Sequence, residues 1–159
     1  MTDRKSEAGR DGEFNPAPVD EFAFEPTALE RANAAIARLK EAYAEEWAPA
    51  AIAEMYEALV AARRDRLARR SNFDRIYRLA HDMKGQGGTF GFPLLTELGE
   101  SLCRLTAGRE DAGDGEFALV RAHIDAARTI VIERIDGDGG EAGRKLLAEL
   151  RHLMRAHLH

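Results

Sequence analysis

Apolar residues recur every three or four positions through most of this 159-residue chain, and that spacing gives an α-helix one apolar face. No stretch alternates between apolar and polar residues for long enough to predict a β-strand. We therefore predict an all-α fold. Helices of about 15 to 22 residues joined by short connections favour an antiparallel four-helix bundle with additional N- and C-terminal helices. The bundle helices are predicted at about 48–68, 72–90, 93–108 and 115–136, and the outer helices at about 27–47 and 141–158.

The first 26 residues have a different composition from the rest of the chain. They hold three basic and seven acidic side chains and three prolines, and they lack helical periodicity. Such a segment has too little apolar surface to bury, so we predict a disordered tail over 1–26. Residues 27–159 form the predicted helical domain, with the bundle core at about 48–136. Pro49 interrupts the apolar pattern, and we place it in the first turn of a second helix.

Charge and cysteine content exclude several classes of protein. The formal net charge is −5, whereas a nucleic-acid binder normally carries a basic face. Cys103 is the only cysteine, so no intramolecular disulfide can form. The N-terminus lacks the apolar core of a signal peptide, and no apolar run approaches the roughly 20 residues that span a bilayer. We expect a cytoplasmic protein that binds no nucleic acid and does not insert into a membrane.

The segment from Leu79 to Gly91 departs from the rules for a stable helix in one place, directly after His81. Gly85, Gly87 and Gly88 stand within four positions, and each glycine inside a helix costs about 1 kcal/mol relative to alanine. A chain that needed only a helix here would use alanine, which is frequent elsewhere. These glycines therefore indicate a site at which backbone must be bare.

Helical spacing separates this segment into two faces. One face is an apolar stripe that points toward the core. On the adjacent polar face His81 points toward solvent, and Lys84 and Gly85 lie one turn further along. Gly85 and Gly88 leave bare backbone beside the imidazole, where a partner can approach closely. Gly91 suits a left-handed C-terminal cap. The core-facing stripe consists of Phe73, Ile76, Ala80, Met83, Gly87 and Phe90.

Two further features have less specific interpretations. The run from Arg63 to Arg70 holds five arginines and only one acid, Asp65. It is either a positive patch that attracts an acidic partner or the solvated end of a helix, where cations offset the helix dipole. His123 lies between apolar positions and is predicted to be structural or partly exposed. The three histidines near the C-terminus do not share a helical face, so we predict surface residues there and no metal site.

A longer pattern surrounds His81. It reads His81-x-x-Lys84-Gly85-x-x-Gly88-x-x-Gly91, followed by Leu95, Leu98 and Gly99. This pattern resembles the signature of histidine phosphotransfer (HPt) domains. The run from Gly88 to Phe92 is most similar to the phosphoacceptor domain of chemotaxis-type histidine kinases, and the helical pattern extends the resemblance over about 48–136.

The resemblance implies that His81 accepts a phosphoryl group. An imidazole is a nucleophile at neutral pH, and Lys84, one turn away, can offset the charge of the phosphorylated ring. The surface around Gly85 and Gly88 would dock against the partner. The residues predicted at its rim are Tyr77, Arg78 and Phe92.

Related domains often use a glutamine or glutamate on the following helix to hydrogen-bond the second imidazole nitrogen. Cys103 occupies the corresponding position here and is a poor partner for that nitrogen. Glu100, one turn earlier, is the candidate substitute for this supporting role.

The sequence contains no phosphate-binding glycine loop, no lid for ATP and no acidic cluster for Mg²⁺. We therefore expect no autonomous kinase activity, no cofactor and no metal site in this chain. The resemblance implies two partners, the receiver domain of a hybrid histidine kinase as donor and the receiver domain of a response regulator as acceptor. Mg²⁺ and its acidic ligands would belong to those receiver domains.

This interpretation, a phosphotransfer protein in a multistep phosphorelay, has two rivals. The chain could be a non-transferring HPt-like binding module that inhibits a histidine kinase or sequesters a regulator, although such a module has no need of the nucleophile. It could also be the phosphoacceptor domain of a chemotaxis-type kinase, although no catalytic domain follows it in the sequence.

Overall fold

The computed structural model describes residues 26–157, and these residues form six α-helices and one π-helical segment, without a β-strand among them. The predicted all-α fold is confirmed. The predicted tail lies outside the described residues except for Pro26, which begins the first helix. The elements are α1 (Pro26–Ala42), a π-helical segment (Tyr43–Trp47), α2 (Ala48–Arg64), α3 (Arg69–Gly87), α4 (Pro93–Thr106), α5 (Asp114–Ile132) and α6 (Gly140–His157).

Contacts within the chain divide it into two units, residues 1–34 and residues 35–159. The described part of the first unit is the beginning of α1, where the Arg31 guanidinium donates a hydrogen bond to the carbonyl of Thr27 (3.3 Å). The second unit contains the remainder of α1 and all the other elements. The candidate site lies entirely within this second unit.

Helices α2 to α5 form a closed four-helix bundle. Helix α3 packs against α2 and α4, and α5 packs against the same two helices from the other side, while α6 packs on α5. Short connections between the four bundle helices make each antiparallel to the next, as the sequence predicts. Each bundle helix buries one apolar stripe, and burial of a large aliphatic side chain contributes about 1.5–3 kcal/mol. Fully buried members of these stripes include Met55, Phe73, Ile76, Leu95, Leu102, Val120 and Ile124.

The predicted placement of Pro49 in the first turn of a second helix is confirmed, but no loop separates this helix from the preceding one. The chain stays helical from α1 through the π-helical segment into α2, and Pro49 lies in the first turn of α2. The amide of Ala48 donates to the carbonyl of Tyr43, five residues earlier, which is the π-helical pattern. Because proline has no amide proton for the carbonyl four residues before it, this wider turn lets the chain pass that position without a break.

The arginine-rich end of α2 and start of α3 is neither an unpaired basic patch nor simply a solvated helix end. Four of its five arginines meet acidic residues in the connection between α4 and α5 or at the start of α5. The Arg69 guanidinium also lies 5.3 Å from the centre of the Phe117 ring. Exposed ion pairs of this kind contribute about 0–1 kcal/mol each, so their main effect is to tie two connections together. The pairs are Arg63 with Asp114, Arg66 and Arg69 with Asp111, and Arg70 with Glu110.

His123 is buried between α4, α5 and α6, which confirms its predicted structural role. Its Nδ1 donates to the carbonyl of Leu119 (2.7 Å), and its Nε2 then accepts from the Ser101 hydroxyl (2.9 Å). Burial lowers the pKa of the imidazole from the usual 6.5, because the charged form loses its hydration. The neutral ring is therefore the form that the fold favours.

This burial makes the stability of the fold depend on pH. Because the pKa of His123 is lowered in the folded state, the unfolded chain takes up the proton first as the pH falls below about 6.5. We expect the free energy of unfolding to fall by at most about 1.4 kcal/mol per pH unit from this group, until the pH reaches the lowered pKa. Urea unfolding at about pH 7.5 and pH 5.5 measures the loss, and His123→Gln should reduce it.

The matched control is His152→Gln, since His152 is exposed on α6. We expect His152→Gln to have the same pH dependence of stability as the wild type. Carboxylates also change their charge over this pH range, but they are the same in all three proteins and so cause no difference between them. Equal pH dependence in His123→Gln and the wild type would contradict the assignment.

Candidate functional site

His81 lies on the solvent side of α3, as its position in the helical pattern predicts. Its neighbours Ala80 and Met83 are buried and fix the rotation of the helix about its axis. The core-facing stripe predicted for this helix is buried apart from Phe90, which is half-buried. The imidazole is therefore available to a partner while the rest of α3 is anchored in the core.

A residue with left-handed backbone conformation, Gly91, terminates the histidine helix. Gly91 has φ = +89°, its amide donates to the carbonyl of Gly88 (3.2 Å), and the amide of Phe92 donates to the carbonyl of Gly87 (2.8 Å). These two bonds form the Schellman motif, which confirms the predicted cap at Gly91. The site thus ends in a defined turn that leads directly into α4.

An aromatic cluster supports the same turn. The Tyr43 ring of the π-helical segment stacks on the Phe90 ring with centres 4.7 Å apart, and Trp47 meets Phe90 edge-on at 5.9 Å. Tyr43 is fully buried, and burial raises the pKa of its hydroxyl to about 12. The π-helical segment therefore holds the turn that follows the histidine helix.

Backbone contact between α3 and α4 sets the position of the site. A Cβ at Gly99 would lie 2.6 Å from the carbonyl oxygen of Ala80 and 2.7 Å from the amide nitrogen of Lys84. A Cβ at Gly87 would lie 2.9 Å from the Cβ of Leu95. Only glycine fits at either position, so the two helices touch on both sides of the segment that carries His81 and Lys84.

Gly85 and Gly88 have surroundings unlike those of the other two glycines. A Cβ at Gly85 would have no neighbour within 4 Å, and one at Gly88 would meet only the Thr96 hydroxyl at 3.5 Å. Both residues are exposed. Packing among residues 26–157 does not require them to be glycine, and this agrees with their predicted role as bare backbone for a partner.

The predicted rim residues on α3 lie beside His81. The Tyr77 ring is half-buried and roughly parallel to the imidazole, with ring centres 6.3 Å apart and an interplanar angle of 29°. Arg78 is exposed. Both side chains are thus placed where a partner that approaches His81 can contact them.

Phe92 does not belong to the rim, and this part of the sequence prediction is wrong. Only 5% of its surface is exposed, because the Schellman turn directs its side chain inward, where its ring lies 6.3 Å from that of Tyr43. Phe92 packs in the core and immediately precedes α4. Phe92 therefore stabilises the turn after α3 from inside the core and is not available to a partner.

Lys84 and Glu100 face each other across α3 and α4. Lys84 Nζ lies 3.8 Å from Glu100 Oε1, and the same oxygen lies 3.4 Å from Nη1 of Arg104. All three side chains are about half-exposed or more, so water screens these attractions. In the described part of the chain Glu100 thus pairs with Lys84 and Arg104. The predicted hydrogen bond from Glu100 to the imidazole of His81 is not present there.

Cys103 occupies the position predicted for the group that would support the imidazole. Its thiol points to the carbonyl of Tyr77 with Sγ 3.8 Å from the oxygen. Burial raises the pKa of this thiol above its usual value, although the nearby Lys84 ammonium opposes the rise. The thiol is therefore a weak, neutral contact between α4 and α3.

Thr96 is a site residue that the sequence analysis missed. Its hydroxyl accepts a hydrogen bond from the amide of Gly88 (3.0 Å) and donates one to the carbonyl of Lys84 (3.0 Å). A signal for it exists, since Thr96, Gly99 and Cys103 stand three and four positions apart on one face of α4. Gly99 marks that face as the one in close contact with α3.

Within residues 26–157, no group of three or more histidine, cysteine, aspartate or glutamate side chains is arranged to hold a metal ion. In the same range, no helix is both long enough and apolar enough to cross a membrane.

The family model described as Hpt domain matches residues 28–130, which is well over half of the chain. No curated protein and no solved structure matches the chain. The chain therefore belongs to the Hpt domain family. Hpt domains are phosphotransfer modules of two-component phosphorelays that interact with receiver domains, and they are not in general autonomous kinases.

The contrast between the glycines gives a prediction. Gly99→Ala should lower the free energy of unfolding by about 1–3 kcal/mol, because the new methyl group overlaps the backbone of α3. Gly85→Ala, which points into open space, should raise it by up to about 1 kcal/mol through helix propensity. Urea unfolding of both variants measures the difference. A Gly99→Ala protein as stable as Gly85→Ala would show that the two helices are not in backbone contact.

Proposed function

We propose that this chain is a histidine phosphotransfer protein that accepts a phosphoryl group on His81 from the aspartyl phosphate of one receiver domain and passes it to the aspartate of another. The single observation that carries the proposal is the arrangement on α3. An exposed imidazole, a lysine one turn away and two bare glycines share one face of a helix that is fixed in the core.

The proposed transfer is a displacement at phosphorus. The outer imidazole nitrogen of His81 forms a bond to phosphorus while the bond between phosphorus and the aspartyl oxygen of the donor breaks, and the carboxylate leaves. In the second half the carboxylate of the acceptor attacks, and the imidazole leaves. Because each step exchanges one bond to phosphorus for another, no oxidant, reductant or water takes part.

Lys84 is proposed to offset the charge that the phosphoryl group brings to His81. The two residues are three positions apart on α3 and therefore share a face. Glu100 lies between two cations, since its carboxylate is within 4 Å of both the Lys84 ammonium and the Arg104 guanidinium. The half-exposed ammonium of Lys84 is therefore only weakly held and can turn toward a phosphoryl group on His81.

The remaining parts of the reaction are proposed to come from the partners. These are the receiver domain of a hybrid histidine kinase as donor and the receiver domain of a response regulator as acceptor, which we expect this chain to meet in the cytoplasm. Mg²⁺ and the carboxylates that bind it would belong to the receivers. Gly85 and Gly88 are exposed and have no side chain, which supports docking of a receiver on this surface.

Transfer from a receiver domain tests the proposal. A receiver phosphorylated on its aspartate and freed of its small-molecule donor should label the wild type, and the label should be acid-labile and base-stable, as expected for phosphohistidine. His81→Ala should lose essentially all labelling. His152→Ala, which removes an exposed histidine from α6, is the matched control and should label as the wild type does. ATP alone should label none of the three proteins.

Label retained by His81→Ala would show that the acceptor lies elsewhere. Wild-type protein that binds a panel of receivers but takes no label from any of them would contradict the proposal. That result would favour a non-transferring module that inhibits a kinase or sequesters a regulator.

A second prediction concerns Lys84. Lys84→Gln should slow transfer from the receiver about fivefold, because the loss of one partly screened charge near the phosphoryl group is worth about 1 kcal/mol. Lys84→Arg should recover most of the rate. Lys145→Gln, which removes an exposed lysine from α6, is the control and should leave the rate unchanged. An unchanged rate in Lys84→Gln would remove the lysine from the mechanism.

A further inference from the structure

We propose that the hydroxyl of Thr96 on α4 is a positioning group for phosphotransfer, because it holds the last turn of α3 in the shape against which a receiver domain docks. The inference rests on the proposed function. The Thr96 hydroxyl is not proposed to contact His81 or the phosphoryl group. It acts through the backbone of Lys84 and of Gly88.

The geometry at Thr96 is specific. The hydroxyl oxygen lies 3.0 Å from the amide nitrogen of Gly88 and 3.0 Å from the carbonyl oxygen of Lys84. In a regular α-helix these two backbone groups pair with each other, since they stand four residues apart. Thr96 therefore joins a side chain of α4 to the donor and the acceptor of one turn of α3.

This turn needs support from outside its own helix. Gly85, Gly87 and Gly88 together cost about 3 kcal/mol of helix propensity relative to alanine. Side-chain contacts supply little compensation, since a glycine has no side chain and Gly85 lies in open space. Two hydrogen bonds from a neighbouring helix hold such a turn without adding any bulk to its exposed face.

The position of Thr96 relative to the reacting residues supports the same role. Lys84 contributes its carbonyl to the bridge and its ammonium to the charged face, so the hydroxyl fixes the backbone from which that ammonium extends. Gly88 contributes its amide to the bridge and bare backbone to the exposed surface. A change at Thr96 thus reaches the docking surface through both residues, while the imidazole stays on the preceding turn.

Thr96→Val removes the hydroxyl and keeps the shape of the side chain, whereas Thr96→Ser keeps the hydroxyl. We expect Thr96→Val to raise the apparent KM for a phosphorylated receiver domain about fivefold to tenfold with little change in kcat, as for the loss of one to two hydrogen bonds. Thr96→Ser should stay within about twofold of the wild type. Direct labelling of His81 by phosphoramidate, a small donor that docks on no surface, should be equal in all three proteins.

The matched control is Thr129→Val on α5, where the lost hydroxyl bonds only to the carbonyl of Asp125 in its own helix (3.1 Å). This variant should transfer phosphate as the wild type does. A second readout follows the bridge itself. The Gly88 amide should exchange with solvent deuterium faster in Thr96→Val than in the wild type or Thr96→Ser.

A receiver KM that is raised in Thr96→Val alone, together with unchanged phosphoramidate labelling, would support the inference. An unchanged KM in Thr96→Val would overturn it while the proposed function stands. Equal slowing with the receiver and with phosphoramidate would also overturn it, since that result indicates general damage to the fold. If the wild type takes no label from any receiver, the proposed function itself is wrong. The inference about Thr96 then fails with it.

Discussion

The backbone contact between α3 and α4 is the constraint on which the rest of the site depends. At Gly87 and Gly99 the helices approach so closely that neither position has room for a methyl group. This approach brings the Thr96 hydroxyl and the Cys103 thiol within reach of carbonyl and amide groups on α3. His81 lies on the adjoining face of α3, which is exposed to solvent. Two glycines buried against a neighbouring helix thus determine where the exposed imidazole lies.

The four glycines near His81 divide into two kinds, and helical spacing in the sequence separates Gly87 from Gly85 and Gly88 but does not predict the close contact at Gly99. Gly87 and Gly99 are required by packing within the chain, whereas Gly85 and Gly88 face open space or a single hydroxyl. The first pair explains how the helix is anchored. The second pair has no explanation inside the fold, and the proposed docking of a receiver domain supplies one. The same short motif therefore serves the core on one side and the partner on the other.

Helical periodicity was enough to predict the bundle, the face on which His81 lies and the left-handed cap at Gly91, because these depend on local spacing and on the chemistry of single residues. The missed features depend on tertiary contacts. The burial of Phe92 follows from the direction in which a turn leaves the helix, and the two hydrogen bonds of Thr96 depend on the distance between two helices. The continuous helix through Pro49 required a π-helical turn, which leaves no clear periodic signal in so short a stretch.

That π-helical turn also sets the phase of the helix before it. A π turn holds more residues than an α turn. It therefore rotates the side chains of residues 35–42 about the helix axis by roughly 100°, the angle between successive residues of a helix. Tyr43 lies at its start and packs on Phe90. Removal of one residue between Tyr43 and Trp47 would restore α-helical winding and carry Ile36 and Leu39 to a different side of the bundle axis. The single extra residue of the π-helical segment therefore determines how residues 35–42 are rotated about the helix axis.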